Sequence, residues 1–517
     1  MLLASNAAAT NPQDMLVSAA PAEPVWTKVA NQYQRFALSA PQIVRYGQGT
    51  RWVEKQMNAG SVYCGDGTFG DPAPGAQKQC QIKVTAPDTP PVTGLSQACA
   101  TYYGGIPNFA LNTTRTDNMV IPALAKPGRG IALGEPSYKT CLLRASDYIA
   151  DGLNERAFHA YSRVQAFNAD SSKYLLLQND GFWNVYDAKT QKLIKKLAPP
   201  LLSPHPASDR SEVQWDAKNP NLLTYTQAYG AGMKLYEFNV ETADLKVVAD
   251  LSARLKARWP DADAMTTMSE GSPSKDGRYY CYMLIDKAGQ MRGLFTWDRT
   301  NDVITGTRDY TNRPDHVSMS PSGNYCVISN FDPVNTVAFS RDFSTSKQIV
   351  KYTTHYDLAI DANGDDVFVG VDPVSYPWPS ENHEGDVFMY NLRTGQRTNL
   401  GINSYEGGTN AMHFSGRGFN KPGWFVLSTQ ASTKARWFDE RIMAIELKAN
   451  PRIYNLAFHR SKYTVDVTAP VASVNRDFTK IIFNSNWGSG SIHTDAYFIE
   501  LPANALTGAS ASSAASQ

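Results

Sequence analysis

The chain has 517 residues, with 49 Lys and Arg against 48 Asp and Glu, so its formal net charge is +1 and charged residues make up only 19%. That balance lacks the positive field of a general nucleic-acid binder, and a hydrophobic content of 42% excludes a chain disordered throughout. No stretch approaches the ~20 apolar residues that span a bilayer, and low charge with abundant Tyr, Trp and Gly suits an all-β protein.

Residues 1–22, opening MLLASNAAATNPQDM, have no basic segment or apolar core and read as a flexible leader rather than an intact signal peptide. Residues 23–85 read as a small β-sandwich-like module, with strands in VWTKV, RFALSA, QIVRYG and RWVEKQM. The stretch APDTPPVTG opens a Pro-rich linker and irregular connection over 86–138.

From Tyr161 onward one pattern recurs seven times. A short apolar strand is followed by a turn of Ser, Asn, Asp and Gly, a second apolar strand, a third ending in Asp, Asn or Glu, and a fourth. HVSMSPSGNYCVISN with TVAFSRDFSTSKQIVKY is one copy, and HYDLAIDANGDDVFVGV with GDVFMYNLRTGQRTNL is the next. The turns NADSS, SKDGR, SPSGN and DANGD carry hairpin chemistry. Four strands per copy at a period of roughly 40–50 residues is the signature of a β-propeller. The fold expected is therefore all-β, a seven-bladed β-propeller over residues 139–502 with the small module before it. Copy seven stops at its third strand, TDAYFIELP, so Lys139–Ser146 (KTCLLRAS) is expected to add the outer strand of the last blade and remove an open edge. Residues 503–517 read as a disordered tail.

The six cysteines form no CxxC pair, and an even count fits disulfides in an oxidising compartment, secreted or periplasmic. Cys64 and Cys80 flank a Gly/Pro-rich loop that needs a staple. Cys99 with Cys141 is a second candidate pair, whereas Cys281 and Cys326 lie in apolar strands and read as buried small hydrophobes.

Side chains at the starts of a propeller's innermost strands converge on one mouth of the channel. Those places carry His316 in PDHVS, His355 and Asp357 in THYD, and His413 in MHFS. FHRSKYTVD adds His459, Arg460 and Tyr463; Arg163, Gln165 and Glu270 come from the first and third copies. Imidazoles suit metal ligation or proton transfer near neutrality. His159, His205, His383 and His493 have no comparable context. No GxxxxGK[ST] or GxSxG motif is present, which removes phosphate-loop and serine-hydrolase readings.

Residues 139–501, most clearly RPDHVSMSPSGNYC, THYDLAIDANGDDVF and APVASVNRDFTKIIFNSNWG, resemble the oligogalacturonate lyase and TolB-like propellers. The resemblance implies β-elimination on a uronate-containing glycan. It also implies a divalent metal (manganese, zinc or calcium) with His316 and His413 as candidate ligands. The lyase pattern has a histidine where Val471 stands here, so a metal-free site, as in propeller ulvan lyases, is the alternative. The module's RYG and FGDPAPG resemble accessory modules of secreted bacterial carbohydrate-active enzymes, and Trp26, Tyr33, Tyr46 and Trp52 are candidates for sugar stacking or for core. The expected protein is a secreted, monomeric polysaccharide lyase acting on an acidic poly- or oligosaccharide. His316, His355 and His413 are assigned to charge neutralisation and proton removal, and Tyr463 and Arg163 to acid and carboxylate clamp. Gln165, Glu270, Asp357, His459 and Arg460 are assigned to substrate contact. A glycoside hydrolase using Glu270 and Asp357 and a non-catalytic glycan-binding propeller are the rival readings.

Overall fold

The computed structural model describes residues 25–38, 42–84, 95–198, 201–202, 210–330, 335–353, 355–373, 382–405, 411–430 and 435–506. The leader, residues 85–94 of the module's end and the linker, His205, and residues 507–517 of the tail lie outside the described residues. The chain divides into two compact units, Met1–Pro91 and Val92–Gln517.

In the first unit, Val25–Asn31, Gln79–Val84, Gln42–Gln48 and Arg51–Met57 form a sheet in that order, and Arg35–Leu38 pairs with Gly60–Tyr63. Period-two alternation puts Val44 and Tyr46 into a core with Leu38, Val62 and Phe69. Arg45 points the other way, between the rings of Trp26 and Trp52 at 4.2 Å each. Of the four aromatics, Tyr46 is therefore core, Trp26 and Trp52 each give a face to Arg45, and Tyr33 is 65% exposed.

The second unit is a β-propeller. Among the described residues it has seven blades, with inner strands Ala157–Phe158, Gln214–Trp215, Ala262–Thr266, His316–Met319, Tyr356–Ile360, Met412–Ser415 and Ser473–Val474. The hairpin turns depend on glycines in the left-handed region, Gly277 (φ 70°), Gly323 (φ 78°) and Gly364 (φ 87°), where a side chain would be strained. Neighbouring blades bury their apolar faces against each other. Val426 and Ile442 of the sixth meet Ile481 and Phe483 of the seventh in one cluster. Each such side chain contributes roughly 1.5–3 kcal/mol on burial.

The ring closes as the sequence suggests. Cys141–Arg144 pairs antiparallel with Asp495–Glu500, from Glu500 opposite Cys141 to Tyr497 opposite Arg144, and Ala132–Gly134 pairs beyond it. A parallel bridge from Asp495 to Ala157 joins the last blade to the first, so nine strands form one sheet. The connecting stretch is ordered: the helix Gln97–Gly104 packs there, and Tyr103 donates to the Glu500 carbonyl at 2.6 Å.

All six cysteines are bridged: Cys64–Cys80, Cys99–Cys141 and Cys281–Cys326. The third bridge corrects the reading of Cys281 and Cys326 as merely buried small hydrophobes. Each sits in the second strand of its blade, the third and the fourth, and blade stacking brings these strands face to face. Repeat position, rather than sequence spacing, makes that pair. Three disulfides fit an oxidising compartment, and no helix among the described residues is long and apolar enough to cross a membrane.

Candidate functional site

Two blades leave the regular pattern at the inner strand. In the first, Phe158 pairs with Leu177 and Ala166 accepts from the amide of Leu175. Residues 159–165 therefore stand opposite Leu176 alone and leave the ladder, carrying His159, Tyr161 and Arg163. In the third, the chain leaves the ladder after Thr266, through Met268 (φ 63°) and Ser269 (φ 65°). Two consecutive non-glycine residues in the left-handed region store strain, which the surroundings must hold. The buried carboxylate of Glu212 does so, accepting from Thr266 Oγ1 at 2.6 Å and the Thr267 amide at 2.5 Å. Gly271 completes the loop, since a Cβ there would lie 1.9 Å from the carbonyl of Val317. This places Glu270 against the strand that begins at His316.

These insertions and the starts of the neighbouring inner strands enclose a cavity of about 450 Å³. Its wall includes His159, Tyr161, Glu270, His355, His413, Gln430, Tyr463, Asp466 and Val471. The His355 and His413 rings stand edge to face, centroids 5.0 Å apart, and Tyr161 meets His413 edge-on at 5.5 Å. Among the described residues, the Nδ1 atoms of His355 and His413 have no hydrogen-bond partner, nor has Oε1 of Gln430. Burial first, then the charge of Arg163, pushes His355 down to about 4. Burial, His355 and Arg163 hold His413 well below the usual imidazole range. Both rings are thus neutral at pH 7 and can accept protons. Tyr463 is 42% exposed and donates to Asp466 at 2.9 Å.

Arg163 and His316 lie deeper. Arg163 is 1% exposed, in contact with Tyr161 and Glu270 of the wall. Its Nη2 meets Glu270 at 3.0 Å, its Nη1 meets His316 Nε2, and Tyr161 and Tyr356 offer it ring faces at 4.8 and 5.1 Å. A guanidinium only donates, so His316 Nε2 accepts and Nδ1 carries the ring proton, which it gives to Asp315 at 3.0 Å. Burial and Arg163 keep this imidazole neutral. His316 also stacks on Tyr356 at 4.9 Å and is fully buried, so it cannot touch a substrate in this arrangement.

The structure thus brings His355, His413, Tyr463 and Glu270 together at the cavity and places Arg163 and His316 beside it. The other four residues assigned to substrate contact are engaged elsewhere. Asp357 is buried, holding Arg417 through both oxygens and accepting from the Gly416 amide at 2.7 Å. Gln165 donates to the Val474 carbonyl at 3.3 Å and accepts from the Phe167 amide at 3.1 Å. His459 accepts from the Ser461 amide at 2.9 Å and donates to the Thr429 carbonyl at 3.0 Å. Arg460 pairs with the buried Glu135 at 2.8 Å. These contacts tie the four side chains to the frame. Conversely, His159, Tyr161, Asp315, Gln430 and Asp466 belong to the site without having been singled out. His383 meets Asp386 at 3.2 Å, and His493 meets the Glu155 carbonyl at 3.0 Å, both away from the cavity.

Glu270, Asp315 and His316 each place one donor atom within 4.8 Å of the others, close enough to share a cation; among the described residues no other group of three does so, and His413 is not part of it. The ligand pair expected of His316 and His413 is therefore not assembled. The group does not fit a divalent ion as it stands. Nε2 of His316 and Oε2 of Glu270 are taken by Arg163, and Nδ1 bears a proton. To ligate, the ring would have to become an imidazolate between two cations.

Comparison with known proteins agrees on the fold. No family model matches the sequence. The oligogalacturonate lyase of Vibrio parahaemolyticus superposes with a TM-score of 0.50 at 12% identity, covering 72% of this chain and 96% of its own. An oligogalacturonate lyase solved in complex with manganese gives 0.50 at 14% identity, with the same coverage of each chain. At these identities the likeness establishes a shared propeller architecture.

Proposed function

We propose that the protein is a secreted or periplasmic polysaccharide lyase that cleaves a uronate-containing glycan by β-elimination in the cavity at the propeller mouth. The observation that carries this reading is the pair of neutral imidazoles, His355 and His413, 5.0 Å apart in the wall beside Tyr161 and Tyr463. Elimination needs a base for the proton α to the carboxylate, stabilisation of the charge that builds on that carboxylate, and an acid for the leaving oxygen. His355 and His413 are the bases. Burial holds the hydroxyl of Tyr161 protonated, so it can serve as the acid. Gln430 and the positive field of Arg163 face the developing charge. The structural neighbours that act on oligogalacturonate support the substrate class. The hydrolase reading loses one of its two carboxylates, because Asp357 is locked to Arg417.

The test is incubation with pectic, ulvan, alginate and glucuronan substrates, following unsaturated product by ultraviolet absorbance. New reducing ends without unsaturation would refute elimination, and binding without cleavage would favour a lectin-like propeller.

A further inference from the structure

The guanidinium of Arg163 engages two of the three donors a divalent cation would need, Glu270 directly and His316 from its far edge, at Nε2, which leaves the proton on the Nδ1 that faces both carboxylates. It donates to His316 Nε2, pairs with Glu270 at 3.0 Å, and is flanked by the rings of Tyr161 and Tyr356. His316 completes the chain by donating Nδ1–H to Asp315. Glu270 therefore already has a buried, permanently charged partner delivered by the protein itself, and Asp315 is held to the same chain through His316. Arg163 reaches this place only because residues 159–165 leave the inner strand of the first blade. A guanidinium cannot be deprotonated in proteins, so it does not yield to a metal as a lysine or a water would.

We propose that Arg163 is the resident cation of this site and excludes a divalent metal from the Glu270–Asp315–His316 group, so that the protein works without a metal there. The neighbour solved with manganese would then share the architecture but not this device. The low proton affinity of His316, His355 and His413, to which Arg163 contributes in each case, is in keeping with a fixed positive charge at this point. The inference stands on geometry and holds whether or not the lyase reading does.

Manganese binding, read without substrate, tests it. The electron paramagnetic resonance signal of free Mn²⁺ is followed while the metal is titrated into the full-length protein and into Arg163→Met, with folding of each checked by circular dichroism. Wild type is expected to leave the signal unchanged at stoichiometric protein. Arg163→Met is expected to gain one saturable site, at least about tenfold tighter than any in wild type. Adding Glu270→Gln to that variant should remove the site. A stoichiometric site in wild type that Glu270→Gln abolishes would overturn the proposal, and this arm needs no Arg163 variant to fold. A folded Arg163→Met that binds no more metal than wild type would overturn it equally, since the guanidinium would not be what excludes the ion.

Discussion

Two buried arginines, Arg163 and Arg417, each pair with a carboxylate of another blade, Arg417 with the adjacent one and Arg163 with one two blades away, and they differ in what surrounds the pair. Arg417 and Asp357 close on each other: both are buried, the contact is two-pronged, and the remaining capacity of Asp357 goes to a backbone amide. Arg163 and Glu270 stay open. The Glu270 side chain is 34% exposed and lines a cavity, and Arg163 continues to His316 and Asp315. The first pair is a rivet and offers no chemistry. The second joins four titratable or charged side chains to a space large enough for a ligand. The same residue types thus serve frame or site according to whether one partner still reaches open space.

Substitution should split the two pairs sharply. Asp357→Ala leaves the Arg417 guanidinium buried without its carboxylate, and breaking a buried pair in this way costs about 3–5 kcal/mol. Denaturant unfolding should show that loss, whereas Glu270→Gln, whose side chain water can reach, should cost clearly less. Equal losses would mean that the open pair is also only structural. His355→Ala and His413→Ala should do the opposite, leaving unfolding midpoints near wild type while lowering kcat by about a hundredfold or more, the scale of a lost general base. Full elimination activity in both variants would remove them from the reaction.

The sequence carried the frame further than the site. Hairpin turns and strand alternation are local signals, so seven blades, the closing strand at Cys141–Arg144 and the module's strands were all legible. So was the approach of His355 and His413, since both enter at the start of an inner strand. Two features were not legible. The three rim histidines take different steps of the pleat: His316 opens its strand, His355 precedes its own, and His413 is second. One step turns a side chain to the other face, so His316 stacks on Tyr356 while His355 meets His413. The interruptions at 159–165 and after Thr266 were also hidden, because nothing in the repeat marks where a strand leaves its ladder. His159 and Tyr161 were missed for that reason. The frame contacts of Asp357, Gln165, His459 and Arg460 were hidden too, because residue type and rim position do not show which polar groups pair within the fold.

The pH dependence of activity sharpens the contrast at smaller scale. A base is lost as pH falls downward through its folded-state pKa. An ordinary histidine would lose about fivefold in rate between pH 6.5 and 5.5. With His355 at about 4 and His413 well below its usual range, the acid limb of kcat/KM should instead lie well under pH 6, in a window where circular dichroism still reports a folded chain. A limb centred near pH 6.5 would show that the working base is not buried as described.

Tyr463→Phe is expected to change least. The hydroxyl sits in the cavity wall, but it is in large part exposed and already donates to Asp466, which with nearby burial raises its pKa and keeps it protonated. Removing it costs one solvent-accessible hydrogen bond, about 1 kcal/mol, or about fivefold in rate if that bond is made only in the transition state. Tyr161 is half-buried against Arg163 and His413, and its hydroxyl is assigned as the acid, so Tyr161→Phe should cost clearly more. Comparing kcat for the two Phe variants decides which tyrosine protonates the leaving oxygen. A Tyr463→Phe loss as deep as that of His413→Ala would move the acid from the buried side of the cavity to its rim.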